Sequence, residues 1–169
     1  MILTKKKYFT MNLLLLISII SMLSSVSYAS ESNLLPRFAS LKADEVNLRV
    51  GPHKQNFPIS WVYKRRGLPI EITGISDKWR RIRDYEGTTG WVWHSLISNK
   101  RTIIVINKNR TLHLSPDDNS GTSAILEPGV LGNLLECNNK WCQIEVKGIK
   151  GWLKRPHFWG VGANETFTK

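Results

Sequence analysis

One hairpin-like pattern occurs twice in this chain, about 62 residues apart. The first copy, from Trp79 to Trp91, reads WRRIRDYEGTTGW, and the second, from Trp141 to Trp152, reads WCQIEVKGIKGW. Each copy begins with Trp, has Ile three positions later and ends in Gly-Trp after a turn that contains glycine. Self-similarity at a fixed period is the signature of a repeated structural unit. The sequence therefore predicts two copies of one small domain.

Short strand-like runs separated by turn residues surround both copies. The segment VNLRVGP at 46–52 corresponds to RTLHLSP at 110–116 in the second copy. Frequent turn signals between short alternating runs favour a small all-β sandwich or barrel. We place the first domain at 36–98 and the second at 99–160, with a C-terminal tail at 161–169. A domain of about 60 residues is marginally stable alone, and the link between the two is short, so we expect the domains to touch.

The first 29 residues have the three regions of a secretory signal peptide. Lysines at 5–7 precede an apolar run, and the Ser-Tyr-Ala sequence at 27–29 puts small residues before a cleavage site. We predict cleavage after Ala29, which makes 1–29 the signal peptide and 30–35 a leader. An uncleaved anchor is the alternative, although the apolar run is short for a span of about 20 residues. The mature protein is predicted to be periplasmic or secreted, and to meet the membrane only transiently through its signal peptide.

The chain is strongly basic. Its formal net charge is +11, and removing the signal peptide, with three lysines and no acid, leaves +8. An exported basic protein rarely meets nucleic acid, so we expect no nucleic-acid partner. The expected partners are a cell-wall peptide or glycan, or an acidic envelope protein. The alternative is that the charge only maintains solubility, because charge alone carries no specificity.

The two cysteines, Cys137 and Cys142, flank a loop of four residues. Export permits a disulfide, and across so short a loop the cysteines would face each other on adjacent strands. A zinc site is not expected, because two thiols without a nearby His do not fill a tetrahedral site. His94, His113 and His157 have no ligand spacing among them. The sequence predicts a disulfide, no metal and no cofactor.

The hairpin turns set the register of the two copies. A three-residue loop at 85–87 in the first copy and a two-residue turn at 147–148 in the second absorb their difference in length. With these turns Ile82 faces Gly90, and the corresponding Ile144 faces the glycine of the second motif. The agreement between the copies supports this register.

Side chains alternate across a strand, so Ile82 defines the core face of the first hairpin. Four side chains are predicted on the outer face: Trp79, Arg81, Arg83 and Trp91. Two indoles beside guanidinium groups offer a flat apolar platform suited to stacking a sugar or peptide and pairing a carboxylate. The alternative is structural, with Arg81 stacking on Trp91 as a cation–π pair or the indoles packing between the domains.

The second copy lacks those arginines. Trp141 and Trp152 are retained on its predicted outer face, but Gln143 and Glu145 replace the arginines. For the second copy we therefore favour the structural interpretation, in which the indoles pack within the protein and do not bind a ligand. We predict that the first copy binds a ligand and that the second copy supports it.

A basic cluster adds to the first copy. Positions 61–83 hold seven basic and two acidic residues, a balance of +5. The predicted ligand-binding residues are Trp79, Arg81, Trp91, Arg83, Arg65 and Arg66. The alternative is a solvated strand edge that carries Lys and Arg to avoid aggregation.

Several of these motifs resemble a known family. VNLRVGP, GLPIEI, WRRIR and GTTGWV are similar to the bacterial SH3-like (SH3b) domain, in the variant found in exported proteobacterial proteins. The resemblance covers the whole first copy, whereas the second is degenerate and has HLSP in place of LRVGP. It implies two tandem SH3-like β-barrels and a non-catalytic ligand module. Trp79 matches an aromatic residue that generally lies near the ligand groove of SH3-like domains, whereas His53 departs from the usual Gly.

Three functions are compatible with these features. The leading hypothesis is an exported binding module for peptidoglycan or another envelope component. The alternative is a scaffold module for an envelope enzyme or a secretion apparatus. A small hydrolase using Cys142 or a histidine is disfavoured, because Cys142 is predicted to face the core and to be oxidised.

Overall fold

A computed structural model describes residues 35–168, so the predicted signal peptide and most of the leader lie outside the described residues. In this part of the chain the regular structure is β, apart from two short 3-10 helices at His94–Leu96 and Arg155–His157. No helix in it is long and apolar enough to cross a bilayer.

The strands of the first half are β1 (Arg37–Leu41), β2 (Val46–Arg49), β3 (Ile59–Tyr63), β4 (Pro69–Ser76), β5 (Trp79–Arg83), β6 (Thr89–Trp93) and β7 (Ile97–Ser98). Those of the second half are β8 (Thr102–Val105), β9 (Arg110–His113), β10 (Thr122–Leu126), β11 (Leu131–Cys137), β12 (Trp141–Val146), β13 (Ile149–Lys154), β14 (Phe158–Trp159) and β15 (Phe167–Thr168).

The two halves have the same topology. The first sheet has the order β3-β2-β6-β5-β4-β1-β7, and the second has β10-β9-β13-β12-β11-β8-β14. Every strand of the first sheet therefore has its counterpart seven strands later, and β15 is an addition that pairs with β11. The predictions of an all-β fold and of two tandem SH3-like barrels are confirmed.

The predicted hairpin register is also confirmed. Ile82 pairs with Gly90, and Ile144 pairs with Gly151. Gly87 has a positive φ in the first loop, as do both residues of the second turn. These are the backbone conformations that three-residue and two-residue hairpin loops require.

Asp84 organises the longer loop of the first copy. Its Oδ1 accepts the backbone N–H groups of Glu86 at 3.0 Å and Thr88 at 2.8 Å. Its Oδ2 accepts the hydroxyl of Tyr63 at 2.8 Å. Burial and this hydrogen bond raise the pKa of Tyr63. The buried Asp84–Tyr63 pair thus joins this loop to strand β3.

The hydrophobic core of the first barrel includes side chains from the second half of the chain. Most side chains of the first core come from the first half, but Ile104 of β8 belongs to it and is 0% exposed. Ile106, Leu131 and Trp159 of the second half pack against the same core. The ring centroids of Phe38 and Trp159 are 4.9 Å apart, in an edge-to-face arrangement. The expected contact between the domains is therefore an extension of the first core.

Polar contacts strengthen this interface. The Thr102 hydroxyl donates to the carbonyl oxygen of Gly67 at 2.8 Å. The Arg65 guanidinium donates to the carbonyl oxygen of Gly129. Both bonds join a residue of one barrel to a loop of the other.

The predicted disulfide is confirmed. Cys137 and Cys142 are bonded and lie directly opposite each other on β11 and β12, with their Cα atoms 4.1 Å apart. Cys142 is fully buried in the second core, as predicted. At the same place in the first barrel, Ile75 pairs with Arg80.

The C-terminal segment folds back on the second barrel. Its strand β15 pairs with β11, placing Phe167 opposite Cys137. The Glu165 carboxylate accepts hydrogen bonds from Arg101, and Arg155 donates to the Glu165 carbonyl oxygen at 2.8 Å. The segment therefore forms one wall of a cleft on the second barrel.

Candidate functional site

The outer face of the first barrel is built by strands β2, β6 and β5. Trp91 lies on the middle strand of the three, opposite Arg49 of β2 and Arg81 of β5. Trp91 is half-buried and Arg81 is exposed. This cross-strand row places one indole between two guanidinium-bearing residues.

Trp79 and Trp93 form one wall of a groove next to this row. The two rings meet edge to face, with centroids 5.2 Å apart and planes at 82°. Trp79 is only 8% exposed. The groove has a volume of about 470 Å³ and is lined by Asn47, Arg49, Lys54, Trp79, Trp93, Ser95 and Leu96.

This geometry corrects the expected platform. Trp79 is not a flat exposed surface beside Trp91, because its direct cross-strand partner Trp93 covers it edge-on. Lys78 lies beside this aromatic pair, with its Nζ 6.0 Å from the centre of the Trp93 ring. Among the described residues no cation lies over Trp91, so the alternative in which Arg81 stacks on Trp91 is not observed.

The groove combines aromatic surface with positive charge. Its two ionisable lining residues, Arg49 and Lys54, are both cationic. Arg49 is held in place by a hydrogen bond of 2.8 Å from its Nη1 to the carbonyl oxygen of Phe57. The groove's volume lies within the range of about 300–1,000 Å³ typical of small-ligand sites. Such a groove can stack a ring against an indole and pair a carboxylate with a guanidinium.

The other predicted site residues are dispersed. Arg83 is paired with Glu71, with its Nη2 2.6 Å from the carboxylate. Arg65 faces the second barrel, at Gly129. Arg66 lines a different pocket, between the barrels. The predicted ligand-binding residues therefore lie in three places. Trp79, Trp91 and Arg81 are in or beside the groove, Arg83 is in an ion pair, and Arg65 and Arg66 lie between the barrels.

Sequence reasoning missed Trp93, Arg49 and Lys54. Extending the predicted pairing of Ile82 with Gly90 three residues towards Trp79 would have placed Trp93 opposite it. Arg49 and Lys54 come from β2 and the following loop, and nothing in their local sequence links them to the hairpin.

The second barrel has a different site at the matching position. Trp141 is 7% exposed and lies edge-on against His113, with ring centroids 5.2 Å apart. Lys154, in the place of Trp93, has its Nζ 5.3 Å from the centre of the Trp141 ring and forms a 2.6 Å ion pair with Asp118. The adjoining cleft has a volume of about 1270 Å³ and is closed on one side by the C-terminal segment, including Val161.

Within residues 35–168, no group of three or more His, Cys, Asp or Glu side chains is arranged to hold a metal ion. Both cysteines of the chain are joined in the disulfide and offer no free thiol.

Comparison with known proteins identifies the repeated unit. A family profile described as "Bacterial SH3 domain" matches residues 42–99 and 110–160, one segment for each barrel. No curated protein matches the sequence.

Several solved structures share a distant likeness. NlpC1 and NlpC2 from Trichomonas vaginalis match at 10% identity with a TM-score of 0.35, over 81% and 75% of this chain and 48% of each of theirs. An NlpC/P60 family protein from Bacillus cereus matches at 11% identity with a TM-score of 0.33, over 73% of this chain and 56% of its own. This chain spans about half the length of these proteins. TM-scores this low support no inference about its activity.

Proposed function

This chain belongs to the bacterial SH3 domain family, and from that premise we propose that it is an exported, non-catalytic protein that binds peptidoglycan or another envelope component. The observation that carries the proposal is the groove of the first barrel. Its wall is the Trp79–Trp93 pair, its cations are Arg49 and Lys54, and no acidic side chain is among its lining residues. Trp91 extends the aromatic surface between Arg49 and Arg81.

Peptidoglycan has the chemistry that this surface fits. Its sugar rings have apolar faces that stack on indoles, and its stem peptides carry carboxylates that pair with guanidinium groups. Export is supported by the signal-peptide pattern at 1–29 and by the disulfide, since disulfides persist in oxidising compartments outside the cytosol. We place the mature protein in the periplasm or outside the cell.

The second barrel provides a matched design for the test. Replacing Trp93→Lys and Arg81→Gln gives the first barrel the residues that the second has at the same positions, Lys154 and Gln143. The pair of changes leaves the net charge unaltered. Because the second barrel accommodates these residues beside Trp141, we expect the variant to fold.

The assay is co-sedimentation with purified sacculi at low salt, after circular dichroism has established folding. Loss of a stacking ring and of a charged partner, each contributing about 1 kcal/mol, should weaken binding about tenfold or more. Trp152→Leu, in the second barrel, should retain wild-type binding. Binding by the wild type should also weaken as salt rises, since exposed charges are screened beyond about 8 Å at physiological ionic strength.

Two outcomes contradict the proposal. If Trp152→Leu loses binding while the first-barrel variant keeps it, the roles of the copies are reversed. If the wild type does not sediment with sacculi at low salt, the cell-wall hypothesis fails.

An exposed apolar patch favours a second candidate function, a scaffold that docks an envelope protein. The patch lies around strand β3, which is at one end of the first sheet. It consists of four residues, each with its exposed fraction: Val50 (55%), Phe57 (37%), Ile59 (45%) and Trp61 (58%). Exposed apolar residues around a strand at the end of a sheet are suited to a protein partner. A photoreactive residue at Trp61 should then cross-link one defined protein in cells, whereas the same residue at Lys108 should not.

A further inference from the structure

A third pocket lies between the two barrels and belongs to neither. It has a volume of about 390 Å³ and is lined by residues of both halves and of the link between them. Hydrogen bonds fix its walls: the Ser40 hydroxyl donates to the Lys100 carbonyl oxygen at 2.7 Å, and the Thr102 hydroxyl donates to the Gly67 carbonyl oxygen at 2.8 Å. The pocket is therefore supported by the inter-barrel contacts themselves.

Four cationic residues from four separate segments line this pocket: Lys42, Arg66, Lys100 and Lys147. The one acidic lining residue, Glu145, accepts a hydrogen bond from Asn133 Nδ2 at 3.3 Å. Arg66 has Asp44 at 3.6 Å, but both side chains are well exposed, and such exposed pairs contribute little. The lining thus has an excess of positive charge that a bound anion would neutralise.

The cations are not a by-product of the repeat. Matching backbone hydrogen bonds make Leu41 equivalent to Val105 and Gly67 equivalent to Gly129. The positions that correspond to Lys42 and Arg66 in the second barrel are consequently held by Ile106 and Pro128. The second barrel therefore has no cation at either of these two positions.

We propose that this inter-barrel pocket binds a phosphate group that carries more than one negative charge. No aromatic residue is among its lining residues, so it offers no stacking surface for a sugar or a base. Lysine binds phosphate as a point charge and arginine binds it through a fork of donors, and the pocket has three of the former and one of the latter. A phosphomonoester or a pyrophosphate group, soluble or in a lipid headgroup, has this chemistry.

The site is independent of the groove on the first barrel and goes beyond the proposed function. Sacculus binding and phosphate binding are measured in separate assays, so that one proposal can be refuted while the other is supported. The groove and the inter-barrel pocket would bind different ligands, and the phosphate would add to the contacts that hold the barrels together.

The test uses inorganic pyrophosphate and isothermal titration calorimetry at low salt. The pocket variant carries Lys100→Gln and Lys147→Asn; asparagine is chosen because Lys147 has φ of 49°, which Asn tolerates well. The control carries Lys108→Gln and Lys140→Gln, two exposed lysines outside this pocket. The pocket variant should bind pyrophosphate about tenfold or more weakly than the wild type, and the control should bind as the wild type does.

Thermal unfolding gives a second readout. In phosphate-free buffer at low salt, the pocket variant should be no less stable than the wild type, because mutual repulsion has been relieved. Pyrophosphate should raise the melting temperature of the wild type and of the control, but not that of the pocket variant. A wild type that neither binds pyrophosphate nor gains stability from it overturns the proposal, as does equal loss of binding in both variants.

Vesicles distinguish the sources of phosphate. Wild-type protein that sediments with phosphatidylcholine vesicles containing phosphatidic acid, but not with phosphatidylcholine alone, supports a lipid headgroup if the pocket variant does not sediment. Pyrophosphate binding without vesicle binding supports a soluble phosphate compound. Sedimentation that the pocket variant retains, together with unaltered pyrophosphate affinity, refutes the site.

Discussion

Replacing Gly90 with alanine should destabilise the protein, because this glycine lies against its neighbours at closer range than a side chain allows. An added Cβ would lie 2.6 Å from Leu48 Cγ and 2.8 Å from the carbonyl oxygen of Arg49. Leu48 is 0% exposed, and the carbonyl belongs to strand β2, so neither atom is free to retreat. Overpacking of this kind costs about 1–3 kcal/mol, and because backbone is involved we expect about 2–3 kcal/mol here.

Urea unfolding followed by tryptophan fluorescence and by circular dichroism measures the free energy of unfolding. Gly74→Ala is the matched control in the same sheet, since its Cβ would lie 3.4 Å from Arg81 Cβ, within ordinary contact. Gly151→Ala repeats the test in the second barrel, where the Cβ would meet Leu112 Cγ at 2.6 Å and the His113 carbonyl oxygen at 2.7 Å. Its cost should equal that of Gly90→Ala.

Two results would refute this reasoning. If Gly90→Ala unfolds within about 0.5 kcal/mol of the wild type, the close approach of β2 and β6 is not what requires glycine. If Gly90→Ala is costly but Gly151→Ala is neutral, the Gly-Trp motif does not serve the same purpose in both copies.

Three further predictions concern other parts of the chain. Reducing the Cys137–Cys142 bond should lower the free energy of unfolding by about 2 kcal/mol, the chain-entropy value for so short a loop, and unchanged urea midpoints with and without reductant would contradict it. Burial raises the pKa of Glu165, but hydrogen bonds from Arg101 and a backbone N–H outweigh it and hold the pKa below the ordinary 4.5. Its ion pair therefore stabilises the fold above pH 4.5 and is lost as the pH falls through the lowered pKa, so Glu165→Gln should be less stable than the wild type at neutral pH, with the difference shrinking in acid titrations. Edman sequencing of the native exported protein should begin at Ser30, and an intact Met1 on a membrane-bound form would indicate an anchor.

The hairpins were predictable because local chemistry allows one solution. A strand's side chains alternate, and the turn length fixes the pairing. The two copies also had to give the same pairing, Ile82 with Gly90 in the first and Ile144 with Gly151 in the second. The disulfide followed from the same logic, since a loop of four residues brings Cys137 and Cys142 together.

The candidate site was only partly predictable because its remaining contacts are not local. Arg65 was assigned to ligand binding from the charge of its loop, yet its guanidinium bonds to Gly129, 64 residues away. No short-range pattern encodes that contact. The strand β15 has only two residues, and the pairing that defines it depends on the position of β11. The pocket between the barrels likewise requires the docking of two units whose sequences resemble each other but do not show how they meet.

The presence of Ile104 in the first barrel's core has a consequence for how this gene can evolve. Tandem domains are usually units that recombination can delete, add or shuffle one at a time. Here deletion of the second copy would take a buried side chain out of the first core and uncover Phe38, which Trp159 now covers. Loss of the second copy would therefore destabilise the first barrel. Natural variation should be concentrated on the outer faces, and the two barrels should be inherited as a pair.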